Sequence, residues 1–300
     1  MRVLVTGSTG RIGRALLLLR PAEIEAEVLL DSREQSDSDL PWYRADISDH
    51  DKTVMAITCA QPEIVVHLAA MTDVDECERN PDKAFRVNCE GARNVAEACS
   101  KCGAGMVFLS TDYVFNGLDG PYTEMDEPNP INVYGLSKLE GERAAAEVLG
   151  ELAIIRISVP FGTRMVGAAH NFISRLIEEL SAGNTVKVVT DQRTTPAFLD
   201  ELAVFLWRVI LDRIKGIIHY GTGDRLSRYE MAIELCRVMG YSETLAEPAK
   251  TADLRLFARR PLESGFVTVR AREILNRPPV LFGEALMQMA GKARKGIRER

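Results

Sequence analysis

Residues 2–13 read "RVLVTGSTGRIG", and the reading of this stretch decides the fold. A run of β-branched and aliphatic residues, Val3 to Val5, gives way to three glycines, Gly7, Gly10 and Gly13, and then to a helix-forming sequence. Glycines at this point allow a tight turn, close approach of backbone to a pyrophosphate, and close packing of helix on strand. The N–H groups that open the helix then face the anion. Gly7, Thr9, Gly10, Arg11, Ile12 and Gly13 are read as this phosphate cradle. A glycine triplet alone is weak evidence, because many α/β proteins carry one in a plain turn. Here Asp31 stands 24 positions beyond Gly7, at the end of the next apolar run, where a carboxylate can accept hydrogen bonds from an adenosine ribose.

Outward from the turn, short apolar runs alternate with helical patterns. "RVLVT" (2–6), "AEVLLD" (26–31), "EIVVHLA" (63–69), "GMVFLS" (105–110) and "LAIIRIS" (152–158) are nearly continuous in Val, Ile and Leu. Strands buried on both faces read this way. Between them, Asn80 followed by Pro81 predicts an N-cap and first helical residue, with Ala84, Val87, Gly91, Val95, Ala98 and Cys102 on one face. The alternation predicts a Rossmann-type doubly wound parallel sheet over residues 1–158. After residue 158 the rhythm loosens into helices near 170–182, 200–213 and 227–239, the last opened by the capping box "SRYE" (227–230). Residues 159–300 are read as a smaller, mainly substrate-binding lobe, with some segments rejoining the main sheet.

Composition narrows the partners. The 300 residues are 46% hydrophobic and 27% charged, as in ordinary globular proteins, and the formal net charge of -6 offers no basic footprint for nucleic acid or an anionic membrane. The basic end "GKARKGIRER" (291–300) reads as a solvated last helix. "ALLLL" (15–19) is far too short to span a bilayer, and a strand that starts at residue 2 leaves no room for a signal peptide. The expected location is cytoplasmic, with the six cysteines reduced. "CSKC" (99–102) has no second Cys or His pair to complete a metal site, and no metal is expected.

"VYGLSK" (133–138) puts Tyr134 and Lys138 on one helical face, one turn apart. A cation there can lower the phenol's pKa and ready it for proton exchange. Such a pair also arises by chance, and it gains meaning only beside a cofactor. "FLSTDYVF" (108–115) brings Ser110, Thr111 and Asp112 to the carboxyl end of the fifth strand, the edge on which open α/β sheets bind ligands. A hydroxyl at that edge can bond a carbonyl oxygen alongside Tyr134.

The glycine spacing, together with these pieces in this order, resembles the extended branch of the short-chain dehydrogenase/reductase superfamily. By that resemblance, Asp46 and Ile47 in "YRADISD" (43–49) lie beside the adenine. Leu68, Ala69 and Ala70 in "HLAA" (67–70) let the cofactor pass the backbone, and Asn88 is the family's helix asparagine. Thr111, Tyr134 and Lys138 then become the catalytic residues, with Ser110 also near the cofactor. "STDYVFNG" (110–117), "PYTEMDEPNPINVYGLSKLEGE" (121–142), "DQRTTPAFLDELA" (191–203) and "ARRPLESGF" (258–266) further resemble the dTDP-4-dehydrorhamnose reductase family. That resemblance implies reduction at C4 of a nucleotide-linked 4-keto-6-deoxy sugar, with Thr111, Asp112, Asn171 and Phe172 facing the substrate. Arg193 is expected at its diphosphate, because a planar cation suits phosphate oxygens.

Two departures from the family stand out. Val159, in "ISVPFG" (157–162), replaces a tryptophan that many bacterial members carry. Ala15 replaces a glutamate that in some members joins a magnesium-bridged dimer, so a homodimer is a possibility without a metal. Asp31 favours NAD(H), whereas Arg11 and Arg33 favour the 2′-phosphate of NADP(H). Dual use with a mild NADPH preference is expected. The same motifs also resemble the regulatory β subunit of methionine adenosyltransferase, a non-catalytic protein, and the sugar-nucleotide epimerases and dehydratases, which use the same Tyr and Lys.

Overall fold

The computed structural model describes residues 1–30, 40–162 and 171–298. Its strands are β1 (Arg2–Thr6), β2 (Glu25–Leu30), β3 (Trp42–Arg44), β4 (Ile64–His67), β5 (Gly105–Thr111), β6 (Leu152–Ile157), β7 (Pro160–Phe161), β8 (Val186–Val189), β9 (Arg193–Thr194), β10 (Ala197–Phe198), β11 (Gly216–His219), β12 (Leu226–Ser227) and β13 (Ala246–Ala249). The helices are α1 (Arg11–Leu18), α2 (His50–Ala60), α3 (Val74–Arg79), α4 (Pro81–Phe85), α5 (Gly91–Cys102), α6 (Val133–Val148), α7 (Phe172–Ser181), α8 (Leu199–Leu211), α9 (Arg228–Met239), α10 (Val269–Leu275) and α11 (Phe282–Arg298).

Seven strands form one parallel sheet in the order β11-β6-β5-β4-β1-β2-β3. The order reverses direction between β1 and β4, which makes that crevice the switch point where a doubly wound sheet binds its ligand. Strand pleating explains the continuous apolar runs. Val3, Val5, Ile64, Val66, Val107 and Ile155 point into one core with residues of α1 and α8. Leu4, Val65, Met106, Phe108 and Ile154 point into the other, with α2, α5 and α6. Both faces are dry, as a parallel sheet requires. β11 comes from the second half of the chain and pairs with β6, while Trp207 of α8 donates its indole N–H to Leu16 O at 2.9 Å.

A third core, among Phe161, Ile173, Leu176, Phe198, Leu235, Phe282 and Leu286, holds α7, α9 and α11 against the parallel pair β8–β13. This lobe sits beyond the carboxyl ends of β5 and β6. Ser227 and Glu230 make the expected capping box of α9. Asn80 and Pro81 take the expected N-cap and first helical positions of α4, but the Asn80 side chain makes no capping bond, and its Nδ2 donates to Glu76 of α3 at 2.9 Å. From α4 to α5 the chain stays helical, but residues 86–90 form one π-helical turn around Asn88.

α6 is locked to the sheet by charge as well as by packing. Glu142 and Arg156 of β6 pair at 2.7 Å, both almost fully buried, and Ser110 donates to Glu142 from β5. Arg156 also lies over the Phe115 ring at 5.2 Å and reaches His219 Nε2 at 3.4 Å. Removing one member of such a pair leaves a buried charge uncompensated, at a cost of about 3–5 kcal/mol.

Candidate active site

The cofactor side of the crevice is made largely of backbone. Gly7 has φ +65°, and a Cβ there would lie 2.7 Å from Ala69 N. At Gly13 a Cβ would meet Ser8 Cα at 2.6 Å. Below them, Thr6 Oγ1 accepts from Leu68 N and Ala69 N at 3.2 and 3.1 Å and meets His67 Nδ1 at 2.9 Å. The turns after β1 and β4 are thus stitched together, and a side chain at Gly7 would drive them apart. No side chain caps the N-terminus of α1. Nη1 of Arg11 is buried with no hydrogen-bond partner among the described residues, and burial lowers that guanidinium's pKa. An uncapped helix start beside an unsatisfied buried cation fits a dinucleotide's phosphates.

The other expected cofactor residues divide. Asp46 accepts from Ser48 N and Oγ at 2.9 and 2.7 Å, and Asn94 donates to Ile47 O at 2.9 Å, so this segment is a rigid turn beside α5. Asn88 accepts from Met71 N at 2.8 Å and donates to Met71 O and Ser137 Oγ, both at 3.0 Å. It pins the loop after β4 to α6. Ser110 turns its hydroxyl to Glu142. Asp31 and Arg33 lie outside the described residues.

The reactive side chains converge at the carboxyl ends of β4 and β5. Asn132 caps α6 by accepting from Gly135 N at 2.8 Å, which sets Tyr134 in the first turn. Burial pushes the Tyr134 phenol well above its ordinary pKa, while a hydrogen bond from Thr111 acts the other way. The lowering expected from Lys138 is not seen in the protein alone: its ammonium turns to Leu109 O and the Phe108 ring, and desolvation dominates at the phenol. Lys138 is 3% exposed, donates to Leu109 O at 2.8 Å and lies 4.1 Å over the Phe108 ring. Burial lowers its pKa to about 7, with Glu142 opposing. Such a lysine changes charge readily near neutral pH.

On the substrate side, Asp112 is 3% exposed and sits among hydroxyls. Ser264 and Thr194 donate to it at 2.8 and 3.1 Å, and Thr111 at 3.3 Å. Burial raises its pKa. It ties β5 to the lobe. Asn171 caps α7 in a capping box with Ser174, and Phe172 begins that helix. Arg193 is held by Glu230 in a half-exposed ion pair at 2.9 Å. Val159 takes φ +41°, a left-handed backbone that β-branched residues seldom adopt.

Several neighbours of this site carried no signal in the sequence. Tyr113 packs edge-on against Tyr134 with ring centroids 5.7 Å apart. Arg228, at the start of α9, lies 4.8 Å over the Phe172 ring. Arg260 pairs with Asp75 at 2.9 Å. All three lie inside stretches already singled out, "STDYVFNG", "SRYE" and "ARRPLESGF", but within them nothing marks these side chains as meeting at one site.

A doubly wound sheet with a glycine cradle at its switch point, and a Thr–Tyr–Lys set at its carboxyl edge, defines the class of extended short-chain dehydrogenases/reductases. Comparison with known proteins gives the family. The family model described as "RmlD substrate binding domain" matches residues 1–294. A probable low-salt glycan biosynthesis reductase, Agl14, of Haloferax volcanii is 33% identical over 270 residues, covering 88% of this chain and 89% of its own. The dTDP-4-dehydrorhamnose reductase of Streptomyces griseus is 34% identical over 267 residues, covering 87% and 83%. The methionine adenosyltransferase 2 subunit beta of Bos taurus is 28% identical over 266 residues, covering 87% and 78%. Among solved structures, dTDP-4-dehydrorhamnose reductase from Bacillus anthracis in complex with NADP superposes with a TM-score of 0.84 at 28% identity, covering 97% and 99%.

The chain belongs to the RmlD family, that of the dTDP-4-dehydrorhamnose reductases, which are nicotinamide-dependent oxidoreductases.

Proposed function

We propose that this protein reduces the C4 keto group of a nucleotide-linked 4-keto-6-deoxy sugar. The observation that carries the reading is the hydrogen-bonded pair Thr111 and Tyr134, with Lys138 one turn on, at the sheet edge beside the glycine cradle. NADPH or NADH would be held by the turn at Gly7–Gly13 and by Arg11, and when bound it supplies the hydride.

The chain's own groups supply the rest. Tyr134 stays protonated in the protein alone because its surroundings are desolvated, so it enters the reaction as an acid. Its proton passes to the carbonyl oxygen as the carbon receives hydride, which turns C=O into CH–OH. Thr111 donates a second hydrogen bond to the same oxygen, where charge develops. Lys138 in its charged form offers a cation to the phenolate left behind and to the cofactor ribose, exchanging its bond to Leu109 O for those partners. Its lowered pKa lets it return the proton to Tyr134 without a deep trap. NADPH is modestly preferred, through Arg11 and Arg33 against Asp31.

The test is loss of nicotinamide absorbance with dTDP-4-keto-6-deoxyglucose and its 3,5-epimer, beside direct titration of NADPH and NADH. Turnover with either sugar supports the reading, and binding of cofactor with no turnover of any such sugar overturns it. The similarity to the Bos taurus subunit favours a second reading, a regulatory protein that binds the nucleotide without using it. The second outcome would select that one.

A further inference from the structure

We infer that Arg228, flanked by Tyr113 and Phe172, is the anion-recognition point for the diphosphate of the nucleotide-linked substrate; this rests on the function proposed above. Arg228 lies at the mouth of the reactive centre. Its guanidinium is stacked over Phe172 and hydrogen-bonded to Tyr113, and Nη1 is buried with no hydrogen-bond partner among the described residues. A buried guanidinium nitrogen without an acceptor is costly to keep, and it is satisfied when an anion arrives.

Three further observations give the anion its class. Tyr113 contacts both Arg228 and Tyr134, the first by a hydrogen bond and the second in a T-shaped ring contact. Tyr113 therefore links the ring of the proton donor to the cation. In a hexose the carbonyl at C4 and the diphosphate-bearing C1 are on opposite sides of one six-membered ring. A sugar lying along Tyr113 with its C4 oxygen at Tyr134 would bring its diphosphate toward Arg228. A second guanidinium, Arg260, acts electrostatically on both Arg228 and Tyr113, and Asp75 holds it in place. Two planar cations meeting one anion is the pattern that phosphate oxygens reward. The nearest carboxylate, Asp112, faces Arg228 but is already occupied by three hydroxyls. Arg193, expected at the diphosphate from the sequence, is paired with Glu230, as Arg260 is with Asp75, so of the three only Arg228 has a buried nitrogen with no hydrogen-bond partner among the described residues.

The experiment compares wild type, Arg228→Gln and Arg228→Lys in calorimetric binding of dTDP, UDP and the phosphate-free nucleosides. Turnover of the keto-sugar nucleotide is followed in parallel. Arg228→Gln should weaken nucleoside-diphosphate binding by roughly 10–100-fold, the range of a hydrogen bond to a charged group. The nucleosides should be unaffected. Arg228→Lys should recover part of the loss, and it keeps the test open should the glutamine variant fold poorly. In turnover, KM rises while kcat and cofactor affinity hold. Diphosphate affinity unchanged in Arg228→Gln, or nucleoside affinity falling equally, overturns the assignment. If no sugar is ever reduced but diphosphate binding still depends on Arg228, the anion site stands and the reductase reading falls. If turnover is normal with KM unmoved, the reverse holds.

Discussion

The two sides of the crevice are made of different material. On the cofactor side, the chain offers N–H groups of a turn and helix start, and room created by missing side chains at Gly7 and Gly13. On the opposite side, Asp112, Tyr113, Tyr134, Phe172, Arg228 and Arg260 are brought together from five segments. Backbone recognition needs a run of consecutive residues and so writes itself into a short motif. Side-chain recognition needs only that distant segments meet, and each contributes one ordinary residue. The first side recognises through the main chain, which a side-chain substitution leaves in place; the second can change by single substitutions while the sheet stays as it is.

The sharpest way to separate the sides is Tyr134→Phe. Removing the hydroxyl leaves the edge-on contact with Tyr113 but takes away the acid. The variant should lose about 10²–10⁴-fold in kcat, with cofactor affinity by titration nearly unchanged. If most of the rate survives, the proton comes from elsewhere and the division of labour fails.

Gly7→Ala should break the other side. The new Cβ would sit 2.7 Å from Ala69 N, on a residue whose φ of +65° already disfavours a side chain. Strain and overpacking together predict a cost of about 2–5 kcal/mol. It should be visible as a lower thermal midpoint and at least tenfold weaker cofactor binding. Substrate-side contacts on the lobe are untouched, so nucleoside-diphosphate binding should survive wherever the variant remains folded. Equal loss of both ligands would mean that the two sides are not independent.

Lys138→Met is the smallest effect and has the opposite sign for stability. In the fold the lysine's pKa is about 7, against an ordinary 10.5. Between those values the unfolded chain binds more protons than the native one, so native stability rises with pH across that window. The burial penalty is fully present below about pH 7 and fades toward pH 10.5. Lys138→Met should therefore be more stable than wild type at pH 6, by up to a few kcal/mol, with the gain shrinking on the alkaline side. It should bind cofactor less well and turn over slowly. A methionine variant that is less stable at pH 6 would show that the bonds to Leu109 O and the Phe108 ring outweigh desolvation.

How much of this was legible in the sequence follows from the same contrast. The cradle, the five apolar strands and the Tyr–Lys turn were readable because each is local. β3 and β11 were not, being three- and four-residue strands, "WYR" and "GIIH", at the two edges of the sheet. Asn80 was legible as the N-cap position before Pro81, but not that its side chain turns to Glu76 and makes no capping bond. Asp112 was legible as a strand-end carboxylate, but only the fold brings Ser264, 152 positions away, against it. In "SRYE" the capping box accounts for Ser227 and Glu230, and nothing in the stretch shows that Arg228 between them meets Phe172, 56 positions away. Val159 was legible as a substitution, but its left-handed backbone was not, since nothing in a valine announces it.

β11 has a consequence for inheritance. A nucleotide-binding half with its own motif invites the idea of a portable module, cut near Ser158 and joined to other lobes. This chain does not permit that cut. A fragment ending there would leave β6 with a bare edge where β11 now pairs from Ala153 to Arg156. It would also strip α8 from α1, baring Leu16, whose carbonyl now receives the Trp207 indole. The apolar residues of α8, Leu202, Phe205, Leu206 and Val209, complete the same core as Val3 and Val5. The lobe thus repays its anchorage by finishing the sheet. A fragment cut near Ser158 is therefore expected to bare both a sheet edge and an apolar core, and substitutions within the unbroken chain keep both covered.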